Sequence, residues 1–493
     1  MRRVLTVYLF TFLLLSPLPS SSQGCRRGTP RPQGMMLHRS TPSSQPRLVG
    51  GNFYTGERHQ LVVLAAFADQ HFKGDETATI EQWNKIFNAE NLTESPFYGS
   101  VHDYFYAQSY GQFQLTFDLH YVVLNGNRSR YRSTREDDEN SQYLVNDIVD
   151  VLEHRNIDWS IYDWNQDGYV NQLLIIFAGK GSSYGGFGGG EDAIWPHQWW
   201  LSEHLKDGDA THYCEPRAVS DGKSTYLIDA YCAVQELSSS DNYSTFGTVC
   251  HEYSHCFGLP DFYYGSTMYV ANWDLMDYGN YNNTGFCPPC YSAHERWLME
   301  WLKPTELTGG TTVSDMEPLS DSPQAFLIRN DGYANEYYMV ENRQKKGWDT
   351  ALPGSGIVIF HIDFDADLWT STTTVPNTKN RQHYVIFHAN NSTSTSSQSR
   401  WAYPYNGNNE LTDTSSPAAT LWNDNANGQK LMSKPITDIT VHNDKGAFVF
   451  MGGSTGIQAT TLTQSAQVLY RFGDISIVRG ADGKTQKVIQ PKR

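Results

Sequence analysis

The stretch F-G-T-V-C-H-E-Y-S-H-C-F-G-L-P-D, residues 246–261, decides how the rest of the chain is read. His251 and His255 are four residues apart, so on a helix both imidazoles project from one face, one turn above the other. That spacing can hold one metal ion. Glu252 follows the first histidine, where it can stand beside the metal without ligating it and take a proton from an activated water. Gly258 and Pro260 end the helix within a turn of His255. A glycine able to adopt positive φ lets the chain turn back there, and Asp261 then arrives as an oxygen ligand. Two imidazoles, one carboxylate and an open fourth position describe a catalytic zinc site rather than a closed structural one.

H-E-x-x-H alone arises by chance in helices, and a buried histidine is commonly satisfied by hydrogen bonds. The extended pattern H-E-x-x-H-x-x-G-x-x-D, with Met276 in W-D-L-M-D-Y-G downstream, answers that objection. The glycine and the methionine turn are separate requirements of one architecture.

The same residues resemble the immune inhibitor A family of secreted bacterial metallopeptidases. The resemblance is carried by C-H-E-Y-S-H-C-F-G-L-P-D-F-Y at 250–263, W-D-L-M-D-Y-G-N-Y at 273–281, Y-S-A-H-E-R-W-L-M-E-W-L at 291–302 and E-N-R-Q-K-K-G-W-D at 341–349. It extends upstream through G-S-V-H-D-Y-F-Y-A-Q-S-Y-G-Q-F at 99–113 and Y-D-W-N-Q-D-G-Y-V at 162–170, and so covers about residues 57 to 452. It implies His251, His255 and Asp261 as zinc ligands, Glu252 as general base, and Met276 as the methionine beneath the metal, not a ligand. Tyr278, two residues after Met276, stands where some related zincins have a tyrosine that donates to the oxyanion.

Composition sets the outer limits. The 493 residues, 39% hydrophobic and 13% aromatic, suffice for a large core and two or more domains. A net charge of −16 disfavours nucleic acid, which needs a basic footprint, and suits an extracellular protein. Residues 1–24 read as a secretory signal peptide, with Arg2 and Arg3 ahead of an apolar run from Val4 to Leu15. No later run approaches the ~20 apolar residues of a transmembrane helix. Cys25 raises the possibility of a lipid anchor, but Ser22-Gln23-Gly24 matches a lipoprotein cleavage box poorly. Residues 25–56, rich in Pro, Ser, Gly and Arg, read as a flexible leader or vestigial propeptide.

The expected architecture is an α/β zincin (metzincin-like) catalytic domain over 57–303, followed by an all-β, sandwich-type domain over 304–455. Buried strands are expected at 61–67 and 173–177, a more exposed one at 112–124, and helices at 80–87, 101–107 and 143–152. A strand at 226–234 leads into the zinc helix, 244–257. Beyond Pro304 the chain turns to short strands, at 337–341, 356–362, 383–388 and 447–451, separated by turn residues. Residues 456–493 form a tail with a hairpin pattern around Asp482-Gly483, a possible remnant of a C-terminal sorting domain.

Asp163, Asn165, Asp167, Tyr169 and Asn171 place oxygen donors at alternate positions, with Gly168 at the sixth, as in a calcium loop. Leu174 at the twelfth position excludes a complete EF-hand, and an Asx-rich turn is the alternative. Six cysteines, Cys214, Cys232, Cys250, Cys256, Cys287 and Cys290, are an even set that invites disulfides in an oxidising compartment. Cys287-Pro-Pro-Cys290 lacks a second C-x-x-C and reads as a loop cross-link or free thiols rather than a metal clip. The glycine-rich run 181–190 lacks the Lys-Ser/Thr of a phosphate loop. Trp195, Trp199 and Trp200 read as a strand that packs or borders a cleft. The expected function is a secreted zinc endopeptidase acting on protein or peptide substrates, with structural calcium; the rival is a catalytically degenerate binding or adhesion protein on the same scaffold.

Overall fold

The computed structural model describes residues 54–133, 140–183, 193–204, 213–371 and 374–453, together with the backbone of four strands between 455 and 489. The signal-peptide reading, Cys25, most of the 181–190 run and all of the 25–56 leader but its last three residues lie outside the described residues; at that end the flexible reading fails, since Tyr54 is buried in the core and Gly56 opens the first strand.

The helix that carries His251 is backed by one sheet. β1 (Gly56–Ala66) leads to α1 (Glu76–Asn88), α2 (Val101–Gln108) and β2 (Phe113–Val123). After α3 (Ser141–Leu152) come β3 (Tyr169–Val170), β4 (Leu173–Lys180), β5 (His197–Trp200), β6 (Arg217–Ser220), β7 (Thr225–Ile228), β8 (Ala230–Leu237) and α4 (Phe246–Ser254). The sheet order is β2-β1-β4-β8-β5, parallel except for the antiparallel edge strand β5. β1 has a parallel neighbour on each side, and Leu61–Ala66 are wholly buried, which is why that strand reads as an unbroken apolar run. The strand expected at 226–234 is two strands in two sheets, because the chain breaks at Asp229. There the Asp229 carboxylate accepts from the Ser202 amide and hydroxyl at 2.9 Å, and its carbonyl accepts from Leu201.

Local signals account for two of the helices. Asp75 caps α1 by accepting from the Ala78 amide, and Ser100 with Asp103 forms a capping box on α2. α4 has no side-chain cap, and all nine of its residues are buried. Tertiary packing holds it helical, as expected for a segment too short to be stable alone. The Tyr253 hydroxyl donates to Gln60 Oε1 at 2.8 Å, tying this helix to β1.

Beyond α5 (Ala293–Leu298), the strands β9 (Thr305–Glu306), β10 (Thr311–Met316), β11 (Ala325–Arg329), β12 (Glu336–Arg343), β13 (Gly356–Asp363), β14 (Tyr384–Ile386), β15 (Ile436–His442), β16 (Lys445–Phe450) and β17 (Thr455–Gln458) form two sheets. Their orders are β14-β13-β12-β11-β9 and β15-β16-β10-β17. Strand alternation divides the first of these sheets between two cores. Tyr337 and Met339 of β12, with Phe360 of β13, join the core that holds α4; Tyr338 and Val340, with Ile359, join a second core with Phe448 and Phe450 of β16. One sheet is therefore a wall common to both cores. In the tail, β18 (Gln467–Phe472), β19 (Ile475–Arg479) and β20 (Thr485–Ile489) pair antiparallel in that order, so strands flank Asp482-Gly483 as its hairpin pattern implies.

Candidate metal centre

α4 ends at Ser254, and a tighter helical turn, His255–Phe257, carries the second histidine. Gly258 closes it at φ 83, the left-handed conformation expected from the sequence. The chain then reverses, and the Phe262 amide donates to the Met276 carbonyl at 2.9 Å, fastening the turn to the W-D-L-M-D segment.

This path brings Asp261 against both histidines. Its Oδ1 lies 3.1 Å from His251 Nε2 and 3.4 Å from His255 Nε2. Donor atoms in a tetrahedral zinc site, each at the usual ~2.0–2.1 Å from the metal, stand about 3.3 Å apart. Glu252 Oε2 is farther out, 3.9 Å from His255 Nε2, although its carboxylate and both imidazoles fall within 4.8 Å of one another. The closer approach of Asp261 favours it as the third ligand and leaves Glu252 beside the site.

The opposite nitrogens are already committed. His251 Nδ1 is 2.8 Å from the Leu275 carbonyl, and His255 Nδ1 is 2.8 Å from the Leu259 carbonyl. A carbonyl only accepts, so each Nδ1 carries a proton, and each Nε2, the nitrogen facing Asp261, is the one that could bind a metal. His251 Nε2 and both Asp261 oxygens are buried without a hydrogen-bond partner. Buried polar atoms left without a partner are costly, and their gathering around Asp261 fits a bound cation. Burial works against charge on His251, yet Asp261 and Glu252 hold its pKa up to about 9. Burial likewise opposes the Asp261 carboxylate, but the two histidines hold it far below the usual range. Without metal, a proton on His251 supplies positive charge beside the Asp261 carboxylate.

Met276 is wholly buried in the turn beside the site, its amide donating to Asp274 Oδ1 at 2.8 Å. Tyr278 follows, its ring edge-on to Tyr263 at 6.0 Å, and Tyr263 is two residues past Asp261. Asp274 and Asp277, two carboxylates in the same motif, have structural parts that sequence spacing does not reveal. Asp277 Oδ2 accepts from the amides of Tyr269, Val270 and Ala271, each at 2.8 Å, and shapes the loop leading into the turn.

The five oxygen-bearing residues at 163–171 also come together, as a loop closed on itself. Asp163 accepts from the Asp167 and Gly168 amides at 3.0 and 2.9 Å, Asp167 from the Tyr169 amide and the Asn165 side chain at 2.9 and 2.8 Å, and Asn171 from the Trp164 amide at 2.5 Å. Asn165 Oδ1 is buried without a partner, and burial, with some help from Asp163, raises the Asp167 pKa. Cys232, Cys250, Cys256, Cys287 and Cys290 are buried thiols, with no disulfide among them. Burial and the Asp349 carboxylate push Cys287 and Cys290 up to about 12. Trp199 and Trp200 are packed in the core on β5 rather than exposed along it. No helix among the described residues is long and apolar enough to cross a membrane.

Comparison with known proteins bears out the resemblance. The family model for the immune inhibitor A peptidase M6 catalytic domain matches residues 81–304, which include α2 to α5 and every residue of the histidine–aspartate cluster. The pre-pro-metalloprotease PrtV of Vibrio cholerae is 28% identical over 190 residues, 34% of this chain and 19% of that protein. Immune inhibitor A of Bacillus thuringiensis subsp. alesti is 24% identical over 315 residues, 55% of this chain and 44% of that protein. The chain thus spans less than half the length of these relatives.

Proposed function

Residues 81–304 are similar to the catalytic domain of the immune inhibitor A peptidases, and from that premise we propose that the protein is a secreted zinc endopeptidase hydrolysing peptide bonds of extracellular proteins. The observation that carries this reading is the approach of one buried carboxylate oxygen to two Nε2 atoms whose rings are oriented by backbone carbonyls. His251, His255 and Asp261 would hold the ion. Bound there, zinc supplies a Lewis acid that makes a water acidic near neutral pH and polarises a scissile carbonyl.

Glu252, buried beside His255, takes the proton from the attacking water and returns it to the leaving amine. Tyr278 donates a hydrogen bond to the oxyanion as charge develops. Met276 shapes the floor of the site without ligating. The 163–171 loop is read as a structural calcium site using Asp163, Asn165, Asp167, Tyr169 and Asn171, chemically distinct from the nitrogen-containing centre. Residues 57–303 are read as a metzincin-like zincin domain, 304–455 as a β-sandwich and 456–493 as an appended tail.

Metal analysis coupled to a casein-hydrolysis assay tests the proposal. One zinc per chain with activity abolished by chelation is expected. A metal-free protein with no hydrolysis would sink it and favour a binding protein on a disabled scaffold.

A further inference from the structure

Two residues far beyond the 81–304 span grip both arms of the metal loop. The Tyr384 hydroxyl, on β14, lies 2.9 Å from Asp274 Oδ2 across a separation of 110 residues. Its ring stacks on Phe262, with centroids 3.9 Å apart and planes at 21°. Asn377, wholly buried, donates from Nδ2 to the Phe262 carbonyl at 2.8 Å and to the Tyr384 carbonyl at 2.7 Å. Its Oδ1 accepts from the His383 and Tyr384 amides at 2.8 and 2.9 Å, so no bonding capacity of that side chain is idle.

The gripped atoms lead directly to the cluster. Phe262 follows Asp261 in the chain and is hydrogen-bonded to Met276. Asp274 fixes the Met276 amide, and the intervening Leu275 carbonyl receives His251 Nδ1–H. Ser292 Oγ is 2.7 Å from the Tyr384 hydroxyl. An ionised carboxylate only accepts, so the single Tyr384 hydroxyl proton goes to Asp274. Removing that hydroxyl would leave Asp274 Oδ2 buried without its donor, and the turn that orients His251 would lose its anchor.

We propose that Tyr384, supported by Asn377, is a positioning residue of the metal centre, setting the backbone on which Asp261 and the Leu275 carbonyl stand. The inference rests on the reading of His251, His255 and Asp261 as zinc ligands. It makes the sheet beyond residue 304 part of the site rather than an attachment to it.

Tyr384→Phe in the full chain keeps the ring stack and deletes the hydroxyl. Loss of a group that orients metal ligands commonly costs about 10–100-fold in metal affinity or activity. The zinc-loaded variant should release Zn²⁺ to excess chelator about 10–100-fold faster than wild type, and its kcat for a peptide substrate should fall while KM stays unchanged. Tyr338→Phe is the control, because that hydroxyl donates to the Thr420 carbonyl at 2.7 Å on the other face of the same sheet. It should leave zinc release at the wild-type rate. Asn377→Ala should accelerate release as Tyr384→Phe does. A zinc-binding wild type whose release rate is unaltered in Tyr384→Phe would overturn the positioning role alone. A wild type that takes up no zinc would overturn the metal reading and this role with it.

Discussion

His251 Nδ1 and the Leu275 carbonyl, 24 residues apart in sequence, meet at 2.8 Å inside the core. That contact fixes the tautomer of a ring on α4 through a turn that belongs to another segment. The histidine's chemistry therefore depends on where the W-D-L-M-D turn is held as well as on the helix that bears it.

The first prediction separates base from ligand. Glu252→Ala should retain zinc at wild-type stoichiometry and lose casein hydrolysis by about 100- to 10,000-fold, the usual worth of general acid–base catalysis. Metal analysis and the rate are measured on one preparation. Retained hydrolysis would remove the base assignment.

Asp261→Ala should do the reverse to the metal. With Asp261 Oδ1 within 3.4 Å of both Nε2 atoms, its loss should abolish stoichiometric zinc binding along with activity. If Glu252→Ala empties the site and Asp261→Ala does not, the roles of the two carboxylates are exchanged.

Calcium provides a test independent of zinc. A ligand bound to the folded state alone stabilises it by roughly 2.7 kcal/mol at a hundredfold excess over Kd. Wild-type protein should melt higher with calcium than without, and Asp167→Ala should lose that increment while keeping zinc. Identical melting curves for the wild type would reduce the 163–171 loop to an Asx-rich turn.

Arg343 concerns stability rather than chemistry. It is wholly buried, its Nε 2.6 Å from Asp349 Oδ2 and its other nitrogens reaching Glu341 and the Cys290 carbonyl. Asp349→Ala strips the buried guanidinium of two hydrogen bonds, leaving Glu341 as its remaining carboxylate partner, and should cost about 3–5 kcal/mol by urea unfolding. Lys346→Ala breaks the exposed pairing with Asp444 nearby and should leave the unfolding midpoint unchanged. Equal effects would mean that the buried network contributes no more than a surface pair.

What the sequence by itself determined follows from periodicity and chain neighbours. The four-residue spacing of His251 and His255, the glycine at 258 that alone adopts φ 83 without strain, and the apolar run of β1 are local facts, and each is legible where it stands. The 163–171 loop is legible for the same reason, because its bonds join residues close in sequence. Other features needed the tertiary structure. The break at Asp229 depends on Ser202, the orientation of His251 on Leu275, and the hold on Phe262 and Asp274 on Tyr384 and Asn377. Nothing in the spacing of β12 says that its two faces serve different cores, since alternation marks both faces as buried without naming what covers them. The proposed ligand residues are written along the chain; the atoms that hold them in place come from segments that only folding brings together.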